Sequence, residues 1–107
     1  MANSFKNAGF SLTTTDLTVL YTCQIGKTAL VKSIQLNNDD SSAIQVELSV
    51  TDTSASSTYK IYHKDLGADS TDNGVVAPLV IEAADIIKIQ AATANKIEGM
   101  ISYMELE

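Results

Sequence analysis

Residues 44–51 read Ile44-Gln45-Val46-Glu47-Leu48-Ser49-Val50-Thr51, an unbroken apolar/polar alternation of period two. Side chains on a strand leave the backbone on opposite faces in turn, so the octet describes a ribbon with one face for a core and one for water. The same reading extends in both directions. Downstream, residues 58–66 predict a strand with Tyr59, Ile61 and His63 on one face and Tyr62 and Leu66 on the other. Upstream, residues 28–36 predict a strand with Leu30, Ile34 and Leu36 on one face. Lys32 interrupts that face and is expected near a rim, where its stem can lie along apolar surface.

Turn chemistry punctuates these runs. Residues 13–16, 24–27, 53–57 and 93–95 read as turns, Gly26 being free to take positive φ. Residues 37–42 and 67–74 read as polar loops. Between them lie further β-rich segments at 9–13, 17–23, 75–82, 85–92 and 97–106. Pro78 places its segment at a sheet edge or bulge, because proline cannot donate to a ladder. Helix formers gather only in Glu82-Ala83-Ala84-Asp85 and residues 91–94, both too short to stand. About eight strands at this spacing predict an all-β, single-domain antiparallel β-sandwich or jelly roll spanning residues 1–107. The expected core is Ile44, Val46, Leu48, Val50, Ile61, Ile87, Ile89 and Ile101.

Bulk composition narrows the function classes. The chain has 107 residues, 45% hydrophobic and 19% charged, as expected of one globular domain. No apolar run reaches the ~18 residues of a membrane span, and residues 1–7 hold no apolar stretch of a secretory leader. The net charge is −6: residues 1–36 carry +2 and residues 37–107 carry −8. With no arginine and an acidic surface, the chain lacks the usual phosphate- and base-reading groups, so no nucleic-acid partner is expected. One cysteine, Cys23, excludes an internal disulfide and fits synthesis in a reducing cytoplasm.

Candidate chemistry is sparse. His63 with Cys23 or a serine would need an orienting carboxylate and an oxyanion hole, and no motif supplies them. No catalytic residue and no enzymatic activity are expected. One histidine and one cysteine cannot build a thiolate or imidazole metal site. Asp65, Asp69, Asp72 and Asn73 are the oxygen-rich alternative for calcium, but their spacing does not follow the EF-hand order and a solvated loop explains them. Gly26-Lys27-Thr28 resembles the end of a phosphate loop without its upstream glycine. No metal and no cofactor are therefore assigned. A glycan platform would stack sugars on exposed aromatics, and the four tyrosines are spread over different strands and faces.

Tyr21-Thr22-Cys23, Gly26-Lys27-Thr28-Ala29, Asn37-Asn38-Asp39, the run from Pro78 to Lys88 and the closing Tyr103-Met104-Glu105-Leu106 resemble small virion structural proteins of tailed bacteriophages, marine and cyanobacterial phages included. Gln24 departs from that pattern where proline would follow the cysteine, and Ala84 departs where glycine would precede Asp85. The resemblance implies a non-enzymatic, many-copy virion component made in the host bacterial cytoplasm. A capsid cement or decoration subunit is the first expectation, with the major capsid protein or another virion protein as partner and a homo-oligomeric state. A small tail, collar or baseplate component, or a glycan- or receptor-binding sandwich module, is the alternative.

Under the cement reading, residues 1–9 are expected to serve as an anchoring arm. Phe5 is that segment's large aromatic and Lys6 its one charge, and these two are the candidate interface residues. The segment is too polar to order itself alone, so it should lie on a neighbour or cover an edge strand of its own domain.

Overall fold

The computed structural model describes residues 3–76 and 78–106. Nine strands occur among them: β1 (Asn3–Ser11), β2 (Thr18–Thr22), β3 (Thr28–Asn38), β4 (Ile44–Asp52), β5 (Ser57–Leu66), β6 (Ser70–Asn73), β7 (Leu79–Ile81), β8 (Ile86–Ala91) and β9 (Ile97–Leu106). They form two antiparallel sheets. The front sheet has the order β1-β9-β3-β6, with β7 also on β3, and the back sheet has the order β2-β8-β4-β5.

The topology follows from one long ribbon folded on itself. β4 pairs with β5 as a hairpin. Moving outward along both arms, β3 pairs with β6 and β7, β2 with β8, and β1 with β9. Rolling that ribbon brings β9 onto β3 and β8 onto β4, which closes two sheets face to face. This is the jelly roll. β6 and β7 divide one edge of β3 between them: β7 lies against Ala29–Val31 and β6 against Gln35–Asn38.

The core meets the expectation at six positions and relaxes it at two. Ile44, Val46, Leu48, Ile87, Ile89 and Ile101 are buried, whereas Val50 and Ile61 are half-buried against the cluster. Each fully buried branched side chain contributes roughly 1.5–3 kcal/mol through removal of apolar surface from water.

Three departures from the period-two reading share one cause, an extra residue inserted in a ladder. Val31 lies opposite Tyr103 and Ser33 opposite Ser102, so Lys32 has no opposite number and bulges outward. Alternation changes phase there. Ala29 and Val31, not Leu30, share the core face with Ile34 and Leu36. On β5 the extra residue is Ile61: Leu48 faces Tyr62, while Val50 faces Tyr59. Both tyrosines therefore oppose core-facing residues, and the expected split of Tyr59 from Tyr62 is corrected. Leu20 plays the same part on β2, between the pairs Val19 with Lys88 and Tyr21 with Ile87. A bulge leaves composition untouched and reverses every face beyond it.

Two predicted loops also change. β3 continues to Asn38, and residues 67–74 contain β6. Their polarity is satisfied by bonding instead of by solvent. Asn38 is fully buried; its amide donates to the carbonyls of Ser42 (3.0 Å), Leu66 (3.0 Å) and Gly67 (3.1 Å), and its Oδ1 accepts from the Asp40 N–H at 2.8 Å. It pins the end of β3 to the end of β5. Pro78 stands just before the short edge strand β7, as its missing donor requires. Gly26 takes φ +87° in the turn after Cys23.

Residues 3–9 do not project as an arm in this structure. They belong to β1, which runs antiparallel to β9 in continuous register from Asn3 opposite Leu106 to Ser11 opposite Glu98. The segment finds backbone partners along one side by covering an edge of its own domain; Met1 and Ala2 lie outside the described residues.

Candidate assembly surface

The register of the front sheet aligns four apolar side chains in one row on its outer face. Phe5 lies opposite Met104, Met104 opposite Leu30, and Leu30 opposite Val80. Directly opposite residues on neighbouring strands share a face, with Cβ atoms about 4.5–5.5 Å apart. The row thus crosses β1, β9, β3 and β7 without a gap. Its ends are open: Phe5 is 74% exposed and Val80 60%. Leu30 faces this way because of the bulge at Lys32, whose own Nζ sits 5.9 Å from the Phe5 ring centroid. Lys32 and Glu98 are the charged residues that β1, β3, β7 and β9 place on this face. Beyond Met100 and Leu106, the rest is Asn, Ser, Thr, Gln and Gly, side chains that lose little entropy when immobilised or that hydrogen-bond readily.

The outer face of the back sheet is different in kind. Glu47, Lys60, His63, Asp65 and Lys88 lie on it. Glu47 Oε1 accepts from Lys60 Nζ at 3.3 Å and lies 3.3 Å from His63 Nε2, which also meets the Gln45 amide at 2.8 Å. Contact surfaces are depleted in charge at their centres, so the front face has the composition of an interface and the back face that of a solvated surface.

Beneath the Phe5 end of the row lies a polar cluster absent from the sequence reading. Glu105 sits on the inner side of β9, 6% exposed. Its Oε1 accepts from Lys6 Nζ at 2.8 Å and lies 3.6 Å from Lys27 Nζ, while its Oε2 accepts from the Tyr21 hydroxyl at 2.7 Å. The Tyr21 ring meets the Tyr103 ring at a centroid distance of 4.7 Å. The bonded Lys6 ammonium, then Tyr21, hold the Glu105 carboxyl below its usual range against the opposing cost of burial. Burial first, and the carboxylate second, push the Tyr21 phenol above its ordinary range. No short-range spacing could reveal this cluster, because its members are brought together from four separate segments. The expected interface pair Phe5 and Lys6 is thus divided by strand alternation: Phe5 faces outward on the row, and Lys6 reaches inward to Glu105.

The other sequence candidates are held apart or already occupied. β2 and β5 are opposite edges of the back sheet, so Cys23, which follows β2, and His63 lie three strand spacings apart across it, about 14 Å, and are further displaced along the strands. Cys23 is 1% exposed and its Sγ donates to the Lys27 carbonyl at 3.4 Å; burial pushes its thiol up. Asp72 accepts from Tyr62 (2.8 Å) and Lys64 (2.7 Å), and Asn73 Oδ1 accepts from the N–H groups of Ile34 and Val75. These bonds engage two members of the acidic stretch considered for calcium. A second acidic group, Asp52, Glu82 and Asp85, converges to within 4.8 Å. Two of its members cap turns: Asp85 accepts from the N–H groups of Thr53 and Glu82, and Asp52 from Ser54 and Ala55. Tyr59 is the one tyrosine among the described residues that is mainly exposed, so no row of sugar-stacking rings forms there.

No protein-family model and no curated protein matches the chain. Solved structures do. The Drosophila NLP core, described for pentamer formation and histone binding, is similar over 97% of this chain and 99% of its own, with TM-score 0.58 and 15% identity. A Bacillus endospore appendage protein, from disulfide-linked pili, is similar over 97% and 84%, with TM-score 0.57 and 13% identity. A protein of the T13 IBDV viral particle is similar over 96% of this chain, with TM-score 0.53 and 12% identity; this chain spans 30% of its length. At these identities the likenesses establish a shared two-sheet β fold, and nothing more specific.

Proposed function

We propose that the chain is a non-enzymatic bacteriophage virion structural protein, a cement or decoration subunit that docks on the major capsid protein through the outer face of its front sheet. The observation that carries this is the Phe5-Met104-Leu30-Val80 row on a face holding Lys32 and Glu98 as its charges. The resemblance to small phage virion proteins supports it, and a jelly roll related in fold to a viral particle protein is compatible with it. The separation of Cys23 from His63 is compatible with a non-enzymatic role.

The test is decoration of empty capsids of the encoding phage with purified protein, followed by cryo-electron microscopy. Wild type should coat the shell, while Phe5→Asp and Val80→Asp should stay folded and lose binding. Saturation by both variants would overturn the docking face, and copurification with tails alone would move the protein to a tail, collar or baseplate role.

A further inference from the structure

We propose that residues 3–9 are an exchangeable strand: in a second copy of this chain they occupy the β9 edge in place of that copy's own β1. The inference goes beyond the capsid reading and applies to any assembly of the chain.

Burial along β1 changes abruptly. All seven residues from Asn3 to Gly9 are exposed, Phe10 is half-buried against the core, and Leu12 is 4% exposed. Leu12 is also held by its backbone, its N–H donating to Ile97 (2.9 Å) and its carbonyl accepting from Asn95 (2.8 Å). The chain is therefore anchored from Phe10 onward. Among its ties before Gly9 are ladder bonds to β9, the Lys6–Glu105 ion pair and the Phe5 ring beside Lys32 Nζ. Peeling residues 3–9 away exposes little core, and Glu105 keeps its Tyr21 partner. Such a segment lies at the low end of local stability.

The vacated site fits one occupant. The β9 edge from Met100 to Leu106 offers unpaired backbone groups, and an identical β1 restores every ladder bond in the same register, with Lys6 again over Glu105. Contacts inside and between copies are then the same. The balance is set by hinge strain near Gly9 and by the effective concentration of neighbours, which reaches roughly millimolar when copies are held side by side. Because each copy both gives and accepts a strand, exchange produces reciprocal dimers or closed rings.

Asn7 lies directly opposite Ser102, so a cysteine pair there reads which chain supplies the strand. In a Cys23→Ala background, Asn7→Cys protein and Ser102→Cys protein are mixed at high concentration, oxidised and mapped by mass spectrometry. The double variant in one chain, oxidised when dilute, shows that the pair can close. Exchange predicts a species at twice the chain mass in the mixture, its two chains joined by a disulfide between the introduced thiols at positions 7 and 102. Hydrogen exchange on the unmodified chain is the second measurement: amides of residues 3–9 should exchange faster than those of β3. Internal closure in the double variant, with no mixed linkage and with β1 amides as protected as those of β3, would overturn the proposal.

Discussion

Replacing Glu105 by glutamine isolates the charge of the buried cluster while preserving its shape. Three donors converge on this carboxylate: Lys6 at 2.8 Å, Tyr21 at 2.7 Å and Lys27 at 3.6 Å. The Lys6 side chain is about half exposed, so that pair is screened and contributes about 0.5–1 kcal/mol. The Tyr21 hydroxyl keeps an acceptor in the amide but loses charge assistance, which costs about 1 kcal/mol. Glu105→Gln should therefore lose about 1–2 kcal/mol at neutral pH, or roughly 5–12 °C in melting temperature for a domain of this size. Glu105→Ala also strands the tyrosine hydroxyl and should lose about 2–4 kcal/mol. The pH dependence gives the sign. Because the folded carboxyl sits below its ordinary value of 4.5, its stabilisation is full above that value and disappears as pH falls through the folded-state value. Thermal melts at pH 7 and near pH 3 should show the gap between wild type and Glu105→Gln closing at acid pH. Tyr21 acts in the opposite direction: its raised phenol stabilises the fold below its ordinary value of 10.0 and loses that contribution as pH rises beyond it. A gap of equal size at pH 7 and pH 3 would refute the reasoning, because it would mean that packing and not charge was lost.

The remaining predictions concern backbone and core. Ala84 holds φ at +69° just before Asp85, so Ala84→Gly should relieve left-handed strain and raise stability by about 0.5–1 kcal/mol in a denaturant titration. Gly99→Ala would drive a Cβ into the Gln35 carbonyl of β3 and against the Phe10 ring, and should cost about 3 kcal/mol or prevent folding, as soluble yield and melting would show. Deleting Lys32 makes Val31 and Ser33 consecutive residues opposite Tyr103 and Ser102, so Ala29, Val31, Ile34 and Leu36 keep one face in a regular ladder; a retained cooperative melt is expected, and its loss would contradict this register. Ile89→Ala, at a fully buried position, should cost about 2–4 kcal/mol by urea unfolding, and a loss under 1 kcal/mol would contradict its place in the core.

The Ala84 position shows how local chemistry and tertiary structure divide the work. A glycine was expected there from resemblance, and the reason is visible in the dihedral: the turn that lets Asp85 cap Thr53 and Glu82 needs positive φ. The residues alone also settled the strand character of 44–52, its inward face and six of the eight core positions, because a period of two has one physical reading and large apolar groups on one side demand cover. Gly26 and Pro78 stand where their backbone limits put them. What local pattern could not decide depended on partners distant in sequence. The phase of β3 turned on one unpaired residue, Lys32, and whether Leu30 faces core or solvent is fixed by Tyr103 and Ser102 across the ladder. Residues 70–73 read as loop because they are polar, and became strand because the β3 edge supplied their bonds. Residues 3–9 read as an arm for the same reason, and found β9 at the far end of the chain. Burial follows from side-chain chemistry, which is local; register, edge pairing and the meeting of Glu105 with Lys6, Lys27 and Tyr21 follow from the rolling of the ribbon, which only the folded chain sets.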